Sequence, residues 1–177
     1  MVVKHSARAF RVVVMGVSGS GKSSVGASLA RRLKVPFVEG DELHPADNVK
    51  KMSAGIPLAD EDRSPWLSAI GTRLSTAQGG MVVSCSALKV KYRDQLRVSA
   101  DSPIAFLYLH CGRPVLQRRM QARKNHFMPS ALLDSQLAAL EIPSQNERDV
   151  LHVFADATVK SIVSDTAIWL NACTKSS

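Results

Sequence analysis

A glycine-rich segment near the amino terminus constrains the fold of this chain most strongly. Residues 16–23 read GVSGSGKS and fit the pattern GxxxxGK[ST]. The segment follows an apolar run at 10–15 and opens a segment of helical period at 22–33. A glycine turn between a strand and a helix points backbone N–H groups at phosphate oxygens, beside the positive end of the helix. The pattern favours a phosphate-binding loop in a parallel βα unit over a Gly/Ser-rich turn that matches by chance.

Short apolar runs alternate with segments of helical period along the rest of the chain. This alternation predicts an α/β fold, a three-layer α/β/α sandwich with a five-stranded parallel sheet and about seven helices. The predicted strands are 10–15, 36–39, 81–85, 104–110 and 150–155. The predicted helices include 22–33, 64–78, 88–97, 114–123, 130–140 and 158–170, the second opening at Ser64-Pro65 because proline favours the first helical position. Two polar segments, 55–63 and 124–129, are predicted to be loops that present functional groups.

Composition limits the class of protein. The 177 residues are 45% hydrophobic, which favours one domain, 1–177, with a core that needs no disulfide. An apolar run of about 18 residues, the length of a membrane span, does not occur, so we expect no membrane partner. Three scattered cysteines favour a reducing, cytoplasmic location, and the short basic start at 1–11 is a weak candidate for a transit peptide.

The net charge of +8 and a pI near 9.8 are also typical of nucleic-acid-binding proteins. Only 5% of the residues are aromatic, and RNP-type and zinc-finger patterns are missing from the sequence. We therefore expect no nucleic-acid partner, although a P-loop protein that reads nucleic acid is the rival hypothesis from a different class.

The phosphate-loop motif assigns roles to its own residues. Lys22 is expected to reach the β- and γ-phosphates of a nucleotide, and the Ser23 hydroxyl to ligate Mg²⁺. The residues expected to bind the nucleotide are Gly16, Val17, Ser18, Gly19, Ser20, Gly21, Lys22, Ser23 and Ser24. An NKxD-like motif is missing, which argues against a guanine-specific GTPase.

The third predicted strand ends at Ser84-Cys85 without the aspartate of a usual Walker B motif. Asp41, directly after the second strand, is then the nearest candidate carboxylate, because carboxyl ends of parallel strands share one crevice. It could act as base for a substrate hydroxyl or bind Mg²⁺ through water; capping the following turn is the structural alternative. Cys85 is expected to be a small buried residue, not a nucleophile.

Several further segments carry a resemblance to a known family. They are GDELHP at 40–45, NVKKMSAGIPLADEDRSPWL at 48–67, CSALK at 85–89 with Tyr92-Arg93-Asp94, RKNHF at 123–127, Ser135-Gln136 and LEIP at 140–143. Together with the phosphate loop, they make the chain resemble the gluconokinases, small kinases that phosphorylate D-gluconate at its 6-hydroxyl with ATP. The resemblance covers almost all of the chain after residue 10. Another small-molecule kinase, such as shikimate kinase, would share the fold without the 48–67 segment.

The resemblance implies the fold of shikimate and nucleoside monophosphate kinases, with strand order 2-3-1-4-5 and a mobile lid at about 119–130. It implies ATP and Mg²⁺ as cofactors, 6-phospho-D-gluconate and ADP as products, a link to the pentose phosphate pathway, and a homodimer. In the lid, Arg119 and Arg123 lie one helical turn apart, so both could stabilise the transferring phosphoryl group. Arg118 cannot be separated from Arg119 by sequence, and Asn125 stands where the family pattern has glycine.

The substrate that the resemblance implies, gluconate, is a polyol that ends in a carboxylate. Its binding site needs partners for the hydroxyl groups and at least one cation for the carboxylate. The resemblance makes Asp41 the favoured hydroxyl-activating group and His44 either a hydroxyl contact or a helix cap. Arg63 could grip the carboxylate bidentately or pair with the acids beside it. The remaining substrate-binding candidates are Ser86, Lys89, Arg93 and His126, with Lys89 and Arg93 predicted to share one helix face that could also be a solvated basic surface.

Overall fold

The computed structural model describes residues 9–122 and 130–173. In this part of the chain, five strands alternate with seven α-helices. The elements are β1 (Phe10–Met15), α1 (Lys22–Leu33), β2 (Phe37–Glu39), α2 (Ala46–Ser53), α3 (Asp60–Ser75), β3 (Gly80–Ser84), α4 (Val90–Ala100), β4 (Ala105–His110), α5 (Arg113–Gln121), α6 (Ser130–Ala139), β5 (Val150–Phe154) and α7 (Val159–Cys173). A 3₁₀ turn, Gly40–Leu43, follows β2.

All strand pairs are parallel, and the strand order is β2-β3-β1-β4-β5, which confirms the predicted topology. Side chains of a strand alternate between the two faces of the sheet. Val13 and Met15 of β1 therefore pack with α3 and α4, whereas Val12 and Val14 pack with α1 and α7. The result is the expected three-layer sandwich, with the carboxyl ends of all five strands at one edge.

Helix α3 begins earlier than predicted. It starts at Asp60, not at Ser64, so Pro65 lies inside the helix and the segment 60–63 is helical rather than part of a loop. Three acidic residues fill its first turn, where carboxylates stabilise the positive end of a helix, and the Asp62 carboxylate accepts the Ala59 N–H at 2.9 Å. This acidic start outweighs the Ser-Pro signal. Only 55–59 of the predicted loop is irregular, and the predicted loop at 124–129 lies outside the described residues.

Within the described ranges, none of the helices is both long enough and apolar enough to cross a membrane.

Candidate active site

The phosphate loop joins the buried strand β1 to helix α1 at the carboxyl edge of the sheet. Gly19 and Gly21 have φ angles of +81° and +99°, a region that residues with a Cβ rarely adopt, so the motif needs glycine at these two positions. The loop turns back on itself, since Ser20 N donates to Val17 O at 3.2 Å. Lys22 Nζ donates to the same carbonyl at 3.1 Å, which places its ammonium group over the loop.

A glutamine of helix α6 forms two hydrogen bonds to the phosphate loop. Gln136 Oε1 accepts the Ser18 N–H at 2.7 Å, and Gln136 Nε2 donates to Ser18 Oγ at 3.0 Å. The Ser20 hydroxyl is 1% exposed and has no hydrogen-bond partner among the described residues. The loop therefore holds one buried polar group that a ligand could satisfy.

Arg119 of α5 contacts the loop directly, and its neighbour Arg118 does not share this position. Arg119 donates to Ser20 O at 3.1 Å and to Ala155 O, and it is half-buried, whereas Arg118 is exposed. Both arginines line a cavity of about 370 Å³ together with Val115, Ala122 and Asp156. The structure thus distinguishes Arg119, which contacts the phosphate loop, from Arg118, which the sequence alone could not do. Arg123 and His126 lie outside the described residues.

A second cavity, of about 410 Å³, opens between the start of α3, the turn after β3, and α6. We call it the α3–α4 cavity; its polar lining includes Asp60, Arg63, Ser86, Lys89, Tyr92 and Gln136. Three of the predicted substrate-binding residues, Arg63, Ser86 and Lys89, are therefore brought together. Gln136 reaches both this cavity and the phosphate loop.

Charge in the α3–α4 cavity is organised around Asp60. Its carboxylate accepts from Lys89 Nζ at 3.1 Å, from Lys91 Nζ and from the Tyr92 hydroxyl. These hydrogen bonds, that of Lys91 foremost, hold the pKa of the Asp60 carboxyl well below its usual range. Asp60 is therefore ionised, and the two lysines share its single negative charge, so this cluster keeps a net positive charge. From the sequence, Asp60 was expected only as one alternative partner of Arg63; it pairs with the two lysines instead.

Arg63 has a different set of partners. Its guanidinium donates to the carbonyls of Leu58 and Ala59 and lies 3.5 Å from the Tyr92 hydroxyl. Among the described residues it forms no ion pair with a carboxylate; the nearby Asp62 pairs with Lys51 at 2.7 Å, and this pair foremost, helped by the charge of Arg63, lowers the pKa of Asp62. Arg63 thus lines the cavity with a guanidinium whose hydrogen-bond partners are neutral oxygen atoms.

The 3₁₀ turn after β2 carries Asp41 and His44. Asp41 is exposed, and both Asp41 and Lys22 act on the pKa of the Cys85 thiol, so the ends of β2, β1 and β3 meet here. Cys85 is 1% exposed, and burial raises the pKa of its thiol to about 12. Cys85 is accordingly a small buried residue that packs in the core, as expected.

His44 stacks on Trp66, with ring centroids 4.1 Å apart and an interplanar angle of 15°. Burial lowers the pKa of His44; Asp41 opposes this shift and Arg63 adds to it. The imidazole is therefore neutral at pH 7 and can both donate and accept a hydrogen bond. Its Nδ1 lies 3.3 Å from Asn48 Nδ2, and the residue at the N-cap of α2 is Pro45, so His44 does not cap that helix.

The structure corrects the prediction for Arg93. This side chain has no exposed surface, and it binds Glu147 through Nε and NH2, both at 2.7 Å. Lys89 precedes α4 instead of lying on it, so the two residues do not share a helix face. A side chain without exposed surface does not contact a ligand in the α3–α4 cavity, and spacing alone did not reveal the counter-ion Glu147.

Comparison with known proteins places this geometry in a family. Residues 12–143 match the AAA domain family. The gluconokinase of Gluconobacter oxydans is 51% identical over 139 residues, which are 77% of this chain and 78% of that protein. The chain belongs to the gluconokinase family. The thermoresistant gluconokinase of Escherichia coli K12 is 43% identical over 157 residues, covering 87% of this chain and 89% of that protein.

Solved structures agree with this membership. A crystal structure of a gluconokinase from Sinorhizobium meliloti has a TM-score of 0.84 at 48% identity and covers 96% of this chain and 100% of that one. Shikimate kinase from Aquifex aeolicus, at 15% identity and a TM-score of 0.59, shares the fold. This gluconokinase-family chain is therefore a P-loop kinase, and ATP is its phosphoryl donor.

Proposed function

We propose that this chain transfers the γ-phosphoryl group of ATP to the 6-hydroxyl of D-gluconate, giving 6-phospho-D-gluconate and ADP. The observation that carries the acceptor assignment is Arg63. Its guanidinium lines the α3–α4 cavity next to the phosphate loop, and its described partners are neutral oxygen atoms. A lining guanidinium without an ion pair among the described residues suits an acceptor with a carboxylate, because it can bind that group through two parallel hydrogen bonds.

The rest of the acceptor site supplies groups for a polyol. Ser86 lines the α3–α4 cavity, and the neutral His44, whose Nδ1 accepts from the Asn48 amide nitrogen, can donate its Nε2–H to a hydroxyl group. Asp41 lies exposed at the end of β2, in the crevice where ligands of open parallel sheets bind. We assign it the role of orienting the 6-hydroxyl and accepting its proton as the O6–Pγ bond forms and the bond from Pγ to the β-phosphate oxygen breaks.

Groups around the phosphate loop stabilise the charge of the transferred phosphoryl. Lys22 and Arg119 both lie against the loop, where they can neutralise oxygens of the β- and γ-phosphates. Arg119, which contacts the loop, also lines the cavity with Arg118 and Asp156, and we assign this cavity to the nucleoside of ATP. Arg123 and His126 keep their predicted roles as proposals.

The oxygen groups at the loop fit a magnesium ion. Ser23, in the first turn of α1, and Asp41 are both exposed, and hydroxyl and carboxylate oxygens are ligands that Mg²⁺ accepts. The described residues contain no cluster of three or more His, Cys, Asp or Glu side chains suited to a metal. In phosphoryl-transfer sites, Mg²⁺ is commonly bound by one or two protein oxygens together with phosphates and water. Bound there, Mg²⁺ would neutralise phosphate charge.

Release of ADP, measured with a coupled assay, tests the proposal. The protein is supplied with ATP and Mg²⁺ and, in parallel reactions, with gluconate, shikimate, AMP or no acceptor. We expect ADP release in the reaction that contains gluconate and none in the other three reactions. Turnover only with shikimate or AMP would overturn the acceptor assignment while leaving the P-loop kinase intact.

A homodimer, a cytoplasmic location and the lack of nucleic-acid and membrane partners also stay predictions. Light scattering at several protein concentrations tests the first of these.

A further inference from the structure

A buried arginine links three segments of the chain near the α3–α4 cavity. Arg93 has no exposed surface. Its Nε and NH2 donate to the two carboxylate oxygens of Glu147, both at 2.7 Å. On its other side, NH1 donates to the carbonyl oxygens of Ala87 at 3.2 Å, Leu88 at 3.4 Å and Glu141 at 3.2 Å. The planar fork of a guanidinium can serve a carboxylate and a group of carbonyls at once, which an ammonium group cannot.

Two of these carbonyls belong to the turn between β3 and α4, residues 86–89, which forms part of the cavity wall. Ala87 adopts φ +44°, a conformation that non-glycine residues keep only when their surroundings hold it. The turn also contacts the phosphate loop, because Ser86 O accepts the Gly16 N–H at 3.3 Å. At its far end, Lys89 reaches Asp60 on the cavity wall.

The third carbonyl belongs to Glu141, which follows helix α6. Its N–H donates to Leu88 O at 2.8 Å, and its carboxylate accepts the Val90 N–H at 2.6 Å, in the first turn of α4. Helix α6 also carries Gln136, which binds Ser18 of the phosphate loop. Arg93 thus fastens the end of α6 to the turn 86–89.

We propose that Arg93 is a positioning residue for the acceptor end of the active site. It touches neither ligand; it holds the strained turn 86–89 so that Ser86 and Lys89 face the α3–α4 cavity. The kinetic test of this inference rests on the proposed function, because it measures the KM for gluconate.

The chain contains a matched control in the same ion network. Arg97, one helical turn further along α4, binds Glu147, Asp149 and Asp94 and makes no hydrogen bond to the turn 86–89. A lysine at either position keeps the charge and loses the fork. If the network only stabilised the fold, the two substitutions would affect the kinetics alike.

The experiment compares Arg93→Lys with Arg97→Lys well below the Tm of each variant. We expect Arg93→Lys to raise the KM for gluconate about tenfold, because small displacements of binding groups weaken recognition strongly. Its KM for ATP should change by about twofold or less, since the loop is also held by its own turn and by Gln136. Arg97→Lys should leave both constants nearly unchanged. Equal changes in the two variants would overturn the positioning role.

Two further measurements decide the outcome if Arg93→Lys does not fold or wild type does not use gluconate. Glu147→Gln keeps the size of the partner and removes its charge, and it should raise the KM for gluconate in the same direction. Hydrogen exchange of the Val90 and Glu141 amides, without any substrate, should quicken in Arg93→Lys, or in Glu147→Gln if the former is unfolded, and stay unchanged in Arg97→Lys. An inactive wild type overturns the proposed function, whereas unchanged exchange in the Arg93 and Glu147 variants overturns this inference.

Discussion

At the scale of single residues, the proposed chemistry depends on one exposed carboxylate, Asp41. Asparagine has nearly the same shape and accepts no proton at neutral pH, so Asp41→Asn separates proton transfer from binding. We expect kcat with gluconate to fall about 10²- to 10⁴-fold, the usual contribution of a general base. The KM for ATP should change little, because the described contacts that hold the phosphate loop do not involve Asp41.

The neighbouring residue supplies the control for this prediction. Glu42 lies exposed in the same 3₁₀ turn and lines neither cavity. Steady-state kinetics of Glu42→Gln should match those of wild type. An Asp41→Asn variant with an unchanged kcat would show that the base is elsewhere.

Residues of the site differ in how far the sequence could reveal them. The phosphate loop was predictable, because all of its groups are contiguous and its glycines are required by backbone geometry. Arg93 was assigned wrongly, since its counter-ion Glu147 lies 54 residues away in the sequence. Gln136 received no role because it meets Ser18 across a separation of 118 residues. Sequence spacing therefore predicts a site whose residues lie in one contiguous segment. It does not predict pairs of residues that are distant in the sequence and become neighbours only in the fold.

At the scale of elements, the strands were predicted to within one residue at each end because they are short runs of apolar residues bounded by polar ones. Helix ends depend on competing local signals. In α3 the acidic residues 60–62 set the start of the helix, and Ser64-Pro65 did not. Its start at Asp60 places Asp60 beside Lys89 and Asp62 beside Lys51. The early start of α3 therefore organises both the α3–α4 cavity and the attachment of α2.

Helix α2 is held to α3 by polar contacts. Its one buried residue is Asn48, whose Nδ2 donates to Asp62 O at 2.7 Å and lies 3.3 Å from His44 Nδ1. Replacing it by alanine removes the donor that joins α2, α3 and the His44 ring. We expect Asn48→Ala to lower the free energy of unfolding by about 1–3 kcal/mol and to raise the KM for gluconate.

Urea unfolding and steady-state kinetics of Asn48→Ala provide the measurement. Asp47→Ala is the control in the same helix, because Asp47 is exposed and its one ion pair within the described part of the chain is with the exposed Lys50. Its free energy of unfolding should stay within about 0.5 kcal/mol of wild type. Similar losses in the two variants would mean that helix propensity, not the contact with α3, determines the effect.

At the scale of the whole molecule, the ion network of Glu147 fastens the segment before β5 to α4. Hydrogen bonds from Arg93, opposed by partial burial and aided by Arg97, lower the pKa of Glu147 from 4.5 to about 2. A carboxyl with a lowered pKa stabilises the fold above its unfolded pKa and loses that contribution as the pH falls through its folded value. The relevant window is therefore pH 4.5 to about 2.

Urea unfolding at a series of pH values tests this linkage. The lowered pKa of Glu147 means that its ionised carboxylate contributes stability at neutral pH, which protonation removes. Glu147→Gln should be less stable than wild type at pH 7, and its free energy of unfolding should fall less steeply between pH 4.5 and 2. Asp165→Asn, at an exposed position on α7, should keep the wild-type slope. If the free energy of unfolding depends on pH in the same way for wild type and Glu147→Gln, carboxylates other than Glu147 cause the acid sensitivity of the fold.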